Sequence, residues 1–412
     1  MTGRRDRFVP PFSLKSPRCL AIFDHTRCIA IEAAWDAIKA ARRVVIKIGT
    51  KSILLDDRSF DFKTMAALIH DIKDMVKNQG KEVVLVTSGA VAAGMRKLGW
   101  NERPRDLVAQ QVAAAVGNPL LLDEYVRMFD DMPVAQVLLT QQDLSNRKSY
   151  LHFSNALEMM LKLKVIPVLN ENDVVSIDEL ADTSSGESGK DYNFSDNDVL
   201  SALVAASINA DLAIIMSDVD GLYTRKPSAK NAGFIPYVEA LTGDIMALGQ
   251  EGSKAGRGGM ATKLKAAQIC TMSGVWMLIC HAKKTDIGKL MNEGARCTVF
   301  KPSERMPGKK IWMIFAANVS GKIMLDEGAV KAVSSGASIL LPGILQTSGD
   351  FHKGDVVEVW DERRSKLLGK GLSNLSSYEI ERFINLYRND REAFKKEAVN
   401  EVIIRDNFTL MS

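Results

Sequence analysis

Fully apolar segments that alternate with helical segments constrain the fold of this chain most. RRVVIKIGT (42–50) has the pattern of a buried strand that ends at a glycine turn, and EVVLVTSG (82–89) has the same pattern. Between them, residues 62–79 repeat apolar side chains at helical spacing. Further strand-like runs occur at VAQVLL, VIPVLN, LAIIMSD and VWMLIC. Strands that are apolar on both faces and alternate with helices are typical of a mostly parallel sheet covered by helices. We therefore predict an α/β fold.

Polar and glycine-rich loops follow several of these strands. They are KIGTKS (47–52), TSGAVAAG (87–94) and NENDVVS (170–176). Because the carboxyl ends of parallel strands meet at one edge of a sheet, we expect a binding site where these loops come together. A fourth segment, ADTSSGESGKDYN (181–193), is dense in small and acidic residues, and we expect it beside the same site.

Length and composition limit the remaining choices. The 412 residues predict two domains, and a change to KPSERMPGKK and then ANVSGK sets the boundary near residues 301–321. The net charge of +4 is too small to indicate binding to nucleic acid, and we find no apolar run long enough for a membrane span.

The five cysteines show no metal-ligand spacing, so we predict reduced thiols. Residues 1–41 are basic at the start; an N-terminal extension and a transit peptide both remain open.

Two lysines lie beside glycine turns. Lys47 precedes Gly49 in the first strand, and Lys263 ends GRGGMATK (256–263) at a predicted helix start. Backbone N–H groups of a glycine turn together with a lysine can hold phosphate groups. The alternatives are a lysine at a strand end that reaches solvent and an ordinary lysine in a first helical turn.

Three further polar segments can carry chemistry. In TSGAVAAG, Ser88 opens a helix of small residues, which suits either a bound ligand or tight helix packing. NEND (170–173) and SDND (195–198) combine amides and acids that could hold the ammonium and carboxylate of an amino acid, or could cap helices. Ser217 and Asp218 end the strand LAIIMSD, a position that suits contacts to a nucleotide.

Taken in order, these segments resemble the amino-acid kinase family from about Arg43 to Phe300. The matching segments are VVIKIGT, VVLVTSGAVAAGMRKLG, QQVAAAVGNPLL, PVLNENDVVS, SDNDVLSALVAASINADLAIIMSDVDGLYT and GRGGMATKLKAAQIC. The LNEND and SDND pair is similar to the branch that acts on glutamate. Residues 321–376 resemble a PUA domain through KIMLDEGAVKAVSSGASILLPGI and FHKGDVVEV. The resemblance implies an extension over 1–41, an amino-acid kinase sandwich over 42–300, a linker over 301–320 and a small mostly-β PUA-like domain over 321–400.

The resemblance also implies roles for individual residues. Lys47 and Lys263 would neutralise the transferred phosphoryl group, and Asp198 would orient them. The implied substrate residues are Ser88, Asp173 and Asn197, with Asn170 and Asp196 as neighbours. The implied nucleotide residues are Lys47, Ser217, Asp218, Arg257, Gly258, Gly259, Met260, Ala261, Thr262 and Lys263. Arg257 replaces a threonine that is common in bacterial relatives, and residues 181–193 resemble an insertion between the two substrate motifs. We predict no metal ligands among the side chains.

The implied reaction is ATP-dependent phosphorylation of the side-chain carboxylate of L-glutamate, the first step of proline biosynthesis. It implies ATP with Mg²⁺, feedback inhibition by proline, a cytoplasmic location and a homo-oligomer such as a tetramer. Two other functions remain open at this point. One is an RNA-binding protein that acts through the PUA-like region and uses the kinase-like domain as a scaffold; the other is a kinase for another acidic amino acid, such as aspartate.

Overall fold

The computed structural model describes residues 25–176, 197–249, 259–363, 366–397 and 401–411. These residues divide into two compact units. The first comprises the described residues up to Asp143 together with Tyr150–Met306, and the second comprises Leu144–Ser149 together with those from Pro307 onward. Within the described ranges, no helix is long and apolar enough to cross a membrane.

Before Pro307 the chain alternates helices and strands. The helices are α1 His25–Ala40, α2 Thr50–Ile53, α3 Phe62–Lys77, α4 Ala90–Lys97, α5 Leu107–Phe129, α6 Gln141–Ser145, α7 Arg147–Lys162, α8 Asn197–Ser207, α9 Gly243–Ala247, α10 Met260–Met272 and α11 Ile287–Glu293. The strands are β1 Arg43–Ile48, β2 Glu82–Val86, β3 Val134–Leu139, β4 Ile166–Glu171, β5 Leu212–Ser217, β6 Leu222–Tyr223, β7 Phe234–Ile235, β8 Tyr237–Val238, β9 Trp276–His281 and β10 Cys297–Phe300.

The first unit is built on an eight-stranded sheet in the order β3-β4-β2-β1-β5-β9-β10-β8. Neighbouring strands from β3 to β9 are parallel, and β10 is antiparallel to β9. The central strand β5 is buried along its whole length, as its uninterrupted apolar sequence predicts. The mostly parallel sheet is confirmed, and all six segments that the sequence marked as strands belong to it.

The strand order decides where the polar loops meet. Strands β4, β2, β1 and β5 are consecutive neighbours and run in the same direction. Their carboxyl ends therefore lie side by side, and the loops that begin near Lys47, Ser88, Asn170 and Ser217 share one edge of the sheet.

Helix α1 lies before residue 42, where the predicted kinase domain begins. Its Ile31, Ala34 and Ile38 are buried, and Ala34 and Ile38 belong to the main apolar core. The spacing of these three residues places them on one face of the helix. The folded unit therefore includes part of the segment that was predicted to be an extension.

From Pro307 onward the chain forms the second unit. Its helices are α12 Gly308–Phe315, α13 Glu327–Ser334, α14 Ser377–Asn389 and α15 Arg391–Glu397. Its strands are β11 Val319–Leu325, β12 Ile339–Leu340, β13 Ile344–Ser348, β14 Val356–Asp361, β15 Leu367–Leu372, β16 Glu401–Ile403 and β17 Phe408–Leu410. Five strands form a sheet in the order β13-β11-β14-β15-β17, and this unit has an apolar core of its own.

The segment 301–320 differs from the predicted linker. It contains α12, and the five side chains from Ile311 to Phe315 are buried. Lys370 Nζ donates a 3.1 Å hydrogen bond to Ile314 O near the carboxyl end of this helix, where a cation is favourable. The run of apolar residues inside a polar segment thus forms a packed helix of the second unit. Helices α14 and α15 of the same unit are separated by Asp390.

Candidate active site

A cleft of about 380 Å³ lies at the carboxyl edge of the central sheet. Its walls are formed by the ends of strands β1, β2, β4 and β5 and by the first turns of helices α4, α8 and α10. Eight of the residues that the sequence singled out line it: Lys47, Ser88, Asn170, Asp173, Asn197, Ser217, Asp218 and Lys263.

Two lysines and one aspartate form a buried ion cluster at the cleft. Lys47 Nζ lies 2.5 Å from Asp198 Oδ1, and Lys263 Nζ lies 2.9 Å from Asp198 Oδ2. Asp198 is fully buried, and both lysines are nearly so. Burial alone would raise the pKa of Asp198, but the charges and hydrogen bonds of Lys47 and Lys263 hold it below its ordinary value. The cluster therefore carries one negative and two positive charges, a net charge of about +1 at neutral pH.

Local structure explains how this cluster forms. Asp198 lies in the first turn of α8, where the helix dipole favours a negative charge. Lys263 lies in the first turn of α10, where the dipole disfavours a positive charge. The carboxylate between the two ammonium groups compensates for this cost and for the burial of Lys47 in a strand.

Glycines begin two of the helices that face the cleft. Gly89 precedes α4 with a φ of 105°, a left-handed conformation that favours glycine, and no side chain in the described part of the protein caps that helix. Gly259 precedes α10, for which the described residues also supply no side-chain cap. The first N–H groups of uncapped helices bind anions readily. This edge of the cleft thus combines helix N-termini with the two lysines and suits phosphate groups.

A chain of side-chain amides forms the other wall. Asn197 Nδ2 donates to Ser88 Oγ at 2.9 Å and to Asn170 Oδ1 at 3.1 Å. Asn170 Nδ2 donates in turn to Asn118 Oδ1 of α5 at 3.1 Å. In the described part of the chain, Asn197 Oδ1 is buried without a hydrogen-bond partner. Together with the Asp173 carboxylate on the same wall, this oxygen can accept hydrogen bonds from an ammonium group.

Helix α5 is held against α4 by backbone contact. A methyl group at Gly94 would lie 1.8 Å from Ala113 O, and one at Gly117 would lie 1.8 Å from Ala90 O. Only glycine permits this approach at either position. The contact joins the helix that carries Asn118 to the helix that begins after Ser88, so both ends of the amide chain rest on one packed pair.

A second cavity of about 220 Å³ adjoins the cleft and shares Asp218 and Lys263 with it. Its other lining residues include Tyr223, Pro227 and Met260, whose side chains offer apolar surface. Ser217 Oγ donates to Asp218 Oδ1 at 3.1 Å, and Lys51 Nζ lies 3.0 Å from Asp218 Oδ2. A flat ring could pack in this cavity while attached phosphate groups reach the lysines.

The remaining predicted residues fall into two groups. Gly259, Met260, Ala261 and Thr262 lie at the start of α10, and Thr262 Oγ1 donates to Gly259 O at 2.9 Å. Asp196, Arg257, Gly258 and the segment 181–193 lie outside the described residues.

Sequence reasoning missed Asn118 and Arg103. A signal for Asn118 existed, because it is a polar residue on the apolar face of α5, next to a glycine, in QQVAAAVGNPLL. Arg103 also lines the cleft, but it lies in a polar loop that follows a helix, where no pattern marks it.

Comparison with known proteins agrees with this architecture. The amino acid kinase family model matches residues 42–281, and the PUA domain model matches residues 321–387. A glutamate 5-kinase of a Thermoanaerobacter species is 38% identical over 377 residues, which cover 90% of this chain and 98% of that protein. The glutamate 5-kinase of Caldanaerobacter subterraneus is 39% identical over 377 residues, with the same coverage. That of Thermus thermophilus is 38% identical over 382 residues, again covering 90% of this chain and 98% of that protein.

Proposed function

The chain belongs to the amino acid kinase family, and we propose that it transfers the γ-phosphoryl group of ATP to the side-chain carboxylate of L-glutamate. The product is L-glutamyl 5-phosphate, and the reaction begins proline biosynthesis. One observation carries the proposal: the buried cluster of Lys47, Asp198 and Lys263 shares a cleft with a wall of amides and a carboxylate. Relatives named glutamate 5-kinase, which this chain matches over 98% of their length, support the choice of substrate.

The chemistry needs no catalytic base. A carboxylate is already ionised at neutral pH, so it can attack phosphorus directly once it is aligned with the γ-phosphoryl group. The work of the site is then to bring two anions together and to stabilise the charge that spreads over the phosphoryl oxygens. Lys47 and Lys263 supply positive charge for this, and the first N–H groups of α4 and α10 donate hydrogen bonds.

Asp198 acts through the lysines. Its lowered pKa keeps it ionised at neutral pH, so it does not donate a proton. Its two oxygens each contact one ammonium group and fix the separation of Lys47 and Lys263. Two lysines held by one carboxylate can face a phosphoryl group without first having to be ordered.

Mg²⁺ enters with the nucleotide in this proposal. Mg²⁺ in kinases is held mainly by phosphate oxygens, with one or two protein carboxylates, and it neutralises charge between the β- and γ-phosphates. Among the described residues no group of three or more acidic, histidine or cysteine side chains could hold a metal alone. Asp218 lines both cavities and is the carboxylate best placed to complete the coordination.

The amide wall would bind glutamate. Asn197 and Ser88 offer both donors and acceptors, and Asp173 adds a negative charge for the ammonium group.

The resemblance to the family supports three further proposals: inhibition by proline, a homo-oligomer such as a tetramer, and a cytoplasmic location. The PUA domain leaves RNA as a further partner to test.

The test compares ADP formation with L-glutamate, L-aspartate and N-acetyl-L-glutamate, each with and without proline. We expect turnover with L-glutamate, at least about tenfold less with the other two, and inhibition by proline. Turnover that prefers L-aspartate or N-acetyl-L-glutamate would assign the chain to another acidic substrate. Absence of turnover with all three would remove the proposal.

A further inference from the structure

We propose that Arg103 binds the α-carboxylate of the amino-acid substrate and thereby sets the specificity of the site. The inference rests on the proposed glutamate kinase activity. Arg103 lies in the loop between α4, which ends at Lys97, and α5, which begins at Leu107. Its side chain lines the same cleft as Ser88, Asn170 and Asn197.

Several contacts hold this loop in place. Arg103 Nε donates a 2.9 Å hydrogen bond to Oε1 of Gln110, a buried side chain of α5. Arg58 donates to Trp100 O at 2.7 Å and to Asn101 O at 2.8 Å, at the start of the loop. At the end of the loop, the Asp106 side chain accepts a 2.8 Å hydrogen bond from Ala109 N and caps the N-terminus of α5. The guanidinium group is thus anchored to the helix that also supports the amide wall.

Among the described residues, four cationic side chains line the cleft: Lys47, Lys51, Arg103 and Lys263. Lys47 and Lys263 contact Asp198, and Lys51 contacts Asp218 on the side of the nucleotide cavity. Among the described residues that line the cleft, Arg103 is the single arginine.

Glutamate brings two carboxylates and one ammonium group. The side-chain carboxylate must face the lysine pair to react, and the ammonium group suits Asp173 and Asn197 Oδ1. The α-carboxylate then needs a cation away from the lysine pair, and a guanidinium group can hold a carboxylate through two parallel hydrogen bonds.

The experiment uses 4-aminobutyrate, which is glutamate without its α-carboxylate. It compares kcat/KM for both compounds in the wild type, Arg103→Ala, Arg103→Lys and the control Arg105→Ala. Arg105 is an exposed arginine of the same loop that does not line the cleft. Where turnover of 4-aminobutyrate is too slow to follow, its inhibition constant against glutamate replaces kcat/KM.

We expect Arg103→Ala to lower kcat/KM for glutamate by about 10- to 100-fold, mainly through KM, because it removes hydrogen bonds to a charged group. The values for 4-aminobutyrate and the KM for ATP should stay within about twofold, and Arg103→Lys should recover part of the loss. Arg105→Ala should resemble the wild type. Arg103→Ala also removes the hydrogen bond to the buried Gln110 side chain, so its thermal midpoint should fall slightly, and the values for 4-aminobutyrate separate this structural effect from the loss of the carboxylate contact.

Two results would overturn the inference while leaving the proposed function intact. One is an Arg103→Ala variant that keeps wild-type kinetics for glutamate. The other is an equal loss for glutamate and 4-aminobutyrate, which would mean that Arg103 only supports the loop. A wild-type protein without glutamate-dependent ADP formation would remove the proposed function itself, and this inference with it.

Discussion

At the scale of single residues, Lys47 illustrates how a costly side chain is stabilised. A lysine in an apolar strand loses hydration, and its charge needs a partner. The partner is Asp198, more than a hundred residues further along the chain, and that carboxylate is shared with Lys263. Sequence patterns could mark each of the three positions, but only the fold could show that they form one cluster.

Replacing either lysine should stop catalysis without unfolding the protein. We expect Lys47→Ala and Lys263→Ala each to lower kcat by about a hundredfold or more, because each removes charge that stabilises the transferred group. The control is Lys265→Ala, a lysine of the same helix that lines neither cavity and bonds Gln268 instead. Near wild-type turnover in either cleft variant would show that the phosphate site has been assigned wrongly.

Substitutions in the amide wall should weaken the binding of glutamate much more than the binding of ATP. Asp173→Asn and Asn197→Ala are expected to raise KM for glutamate at least about tenfold and to change KM for ATP little, since a buried polar site loses affinity when one partner is removed. Steady-state kinetics with each substrate varied in turn measures both values. Asn155→Ala, on the exposed surface of α7, serves as the control. Equal changes in both KM values would contradict the separation of the two subsites.

Asp198 should contribute to stability in a way that depends on pH. Asp198→Asn leaves two buried ammonium groups without their carboxylate, so we expect a loss of about 3–5 kcal/mol at neutral pH. The folded-state pKa is lowered, so the stabilisation is complete above the ordinary value of 3.8 and is lost as the pH falls through the lower folded value. Thermal midpoints of wild type and variant should therefore differ by a constant amount from about pH 5 to pH 8 and converge below about pH 4. A difference that widens in acid would contradict this role.

At the scale of secondary structure, apolar patterning predicted the central sheet well. Strands such as β1 and β5 are buried on both faces, so nearly every residue in them is apolar and the signal is strong. Helix α1 was not predicted because it buries only one apolar face, and α12 was not predicted because its buried apolar run is short and lies within a polar segment. Their partners are distant in sequence, so local composition resembles that of an extension or a linker.

The contact between α4 and α5 gives a prediction at this scale. Gly94→Ala would place a methyl group 1.8 Å from Ala113 O and push the helices apart. We expect a loss of about 1–3 kcal/mol from overpacking, although alanine is the better helix former. KM for glutamate should also rise, because Ser88 precedes α4 and Asn118 lies on α5.

Gly243→Ala is the matched control, since its added methyl group meets no atom of the described residues within 4 Å. The experiment measures the thermal midpoint and the KM for glutamate of Gly94→Ala, Gly243→Ala and the wild type. A Gly94→Ala variant as stable as Gly243→Ala would contradict the proposed importance of the helix contact.

At the scale of the whole molecule, the two units have separate cores, and we propose that the kinase unit works alone. The test is a chain that ends at Met306. This chain keeps the hydrogen bonds from Ser303 N to Thr271 O and from Met306 N to Met272 O, which a shorter chain ending at residue 302 would lose. We expect it to fold and to form ADP with glutamate. Its thermal midpoint should fall somewhat, because Leu144 O loses the bond from Trp312 Nε1.

A chain that ends at Ser320 is the comparison. It retains α12 but lacks the second unit's strands, so the apolar side chains of Ile311–Phe315 would be exposed and should promote aggregation. Gel filtration, circular dichroism and ADP formation distinguish the outcomes. We would abandon the independence of the kinase unit if the chain ending at Met306 were soluble and folded but formed no ADP with glutamate.

The most direct measurement follows the oxygen atom that the reaction transfers. The protein is incubated with ATP, Mg²⁺, hydroxylamine and L-glutamate labelled with oxygen-18 in its side-chain carboxylate. If the carboxylate attacks phosphorus, hydroxylamine then displaces phosphate from the acyl carbon, and the released phosphate keeps one labelled oxygen from glutamate. Mass spectrometry should therefore find one labelled phosphate for each glutamyl hydroxamate and each ADP formed. Unlabelled phosphate formed together with ADP would show transfer to water instead, and would contradict the function proposed here.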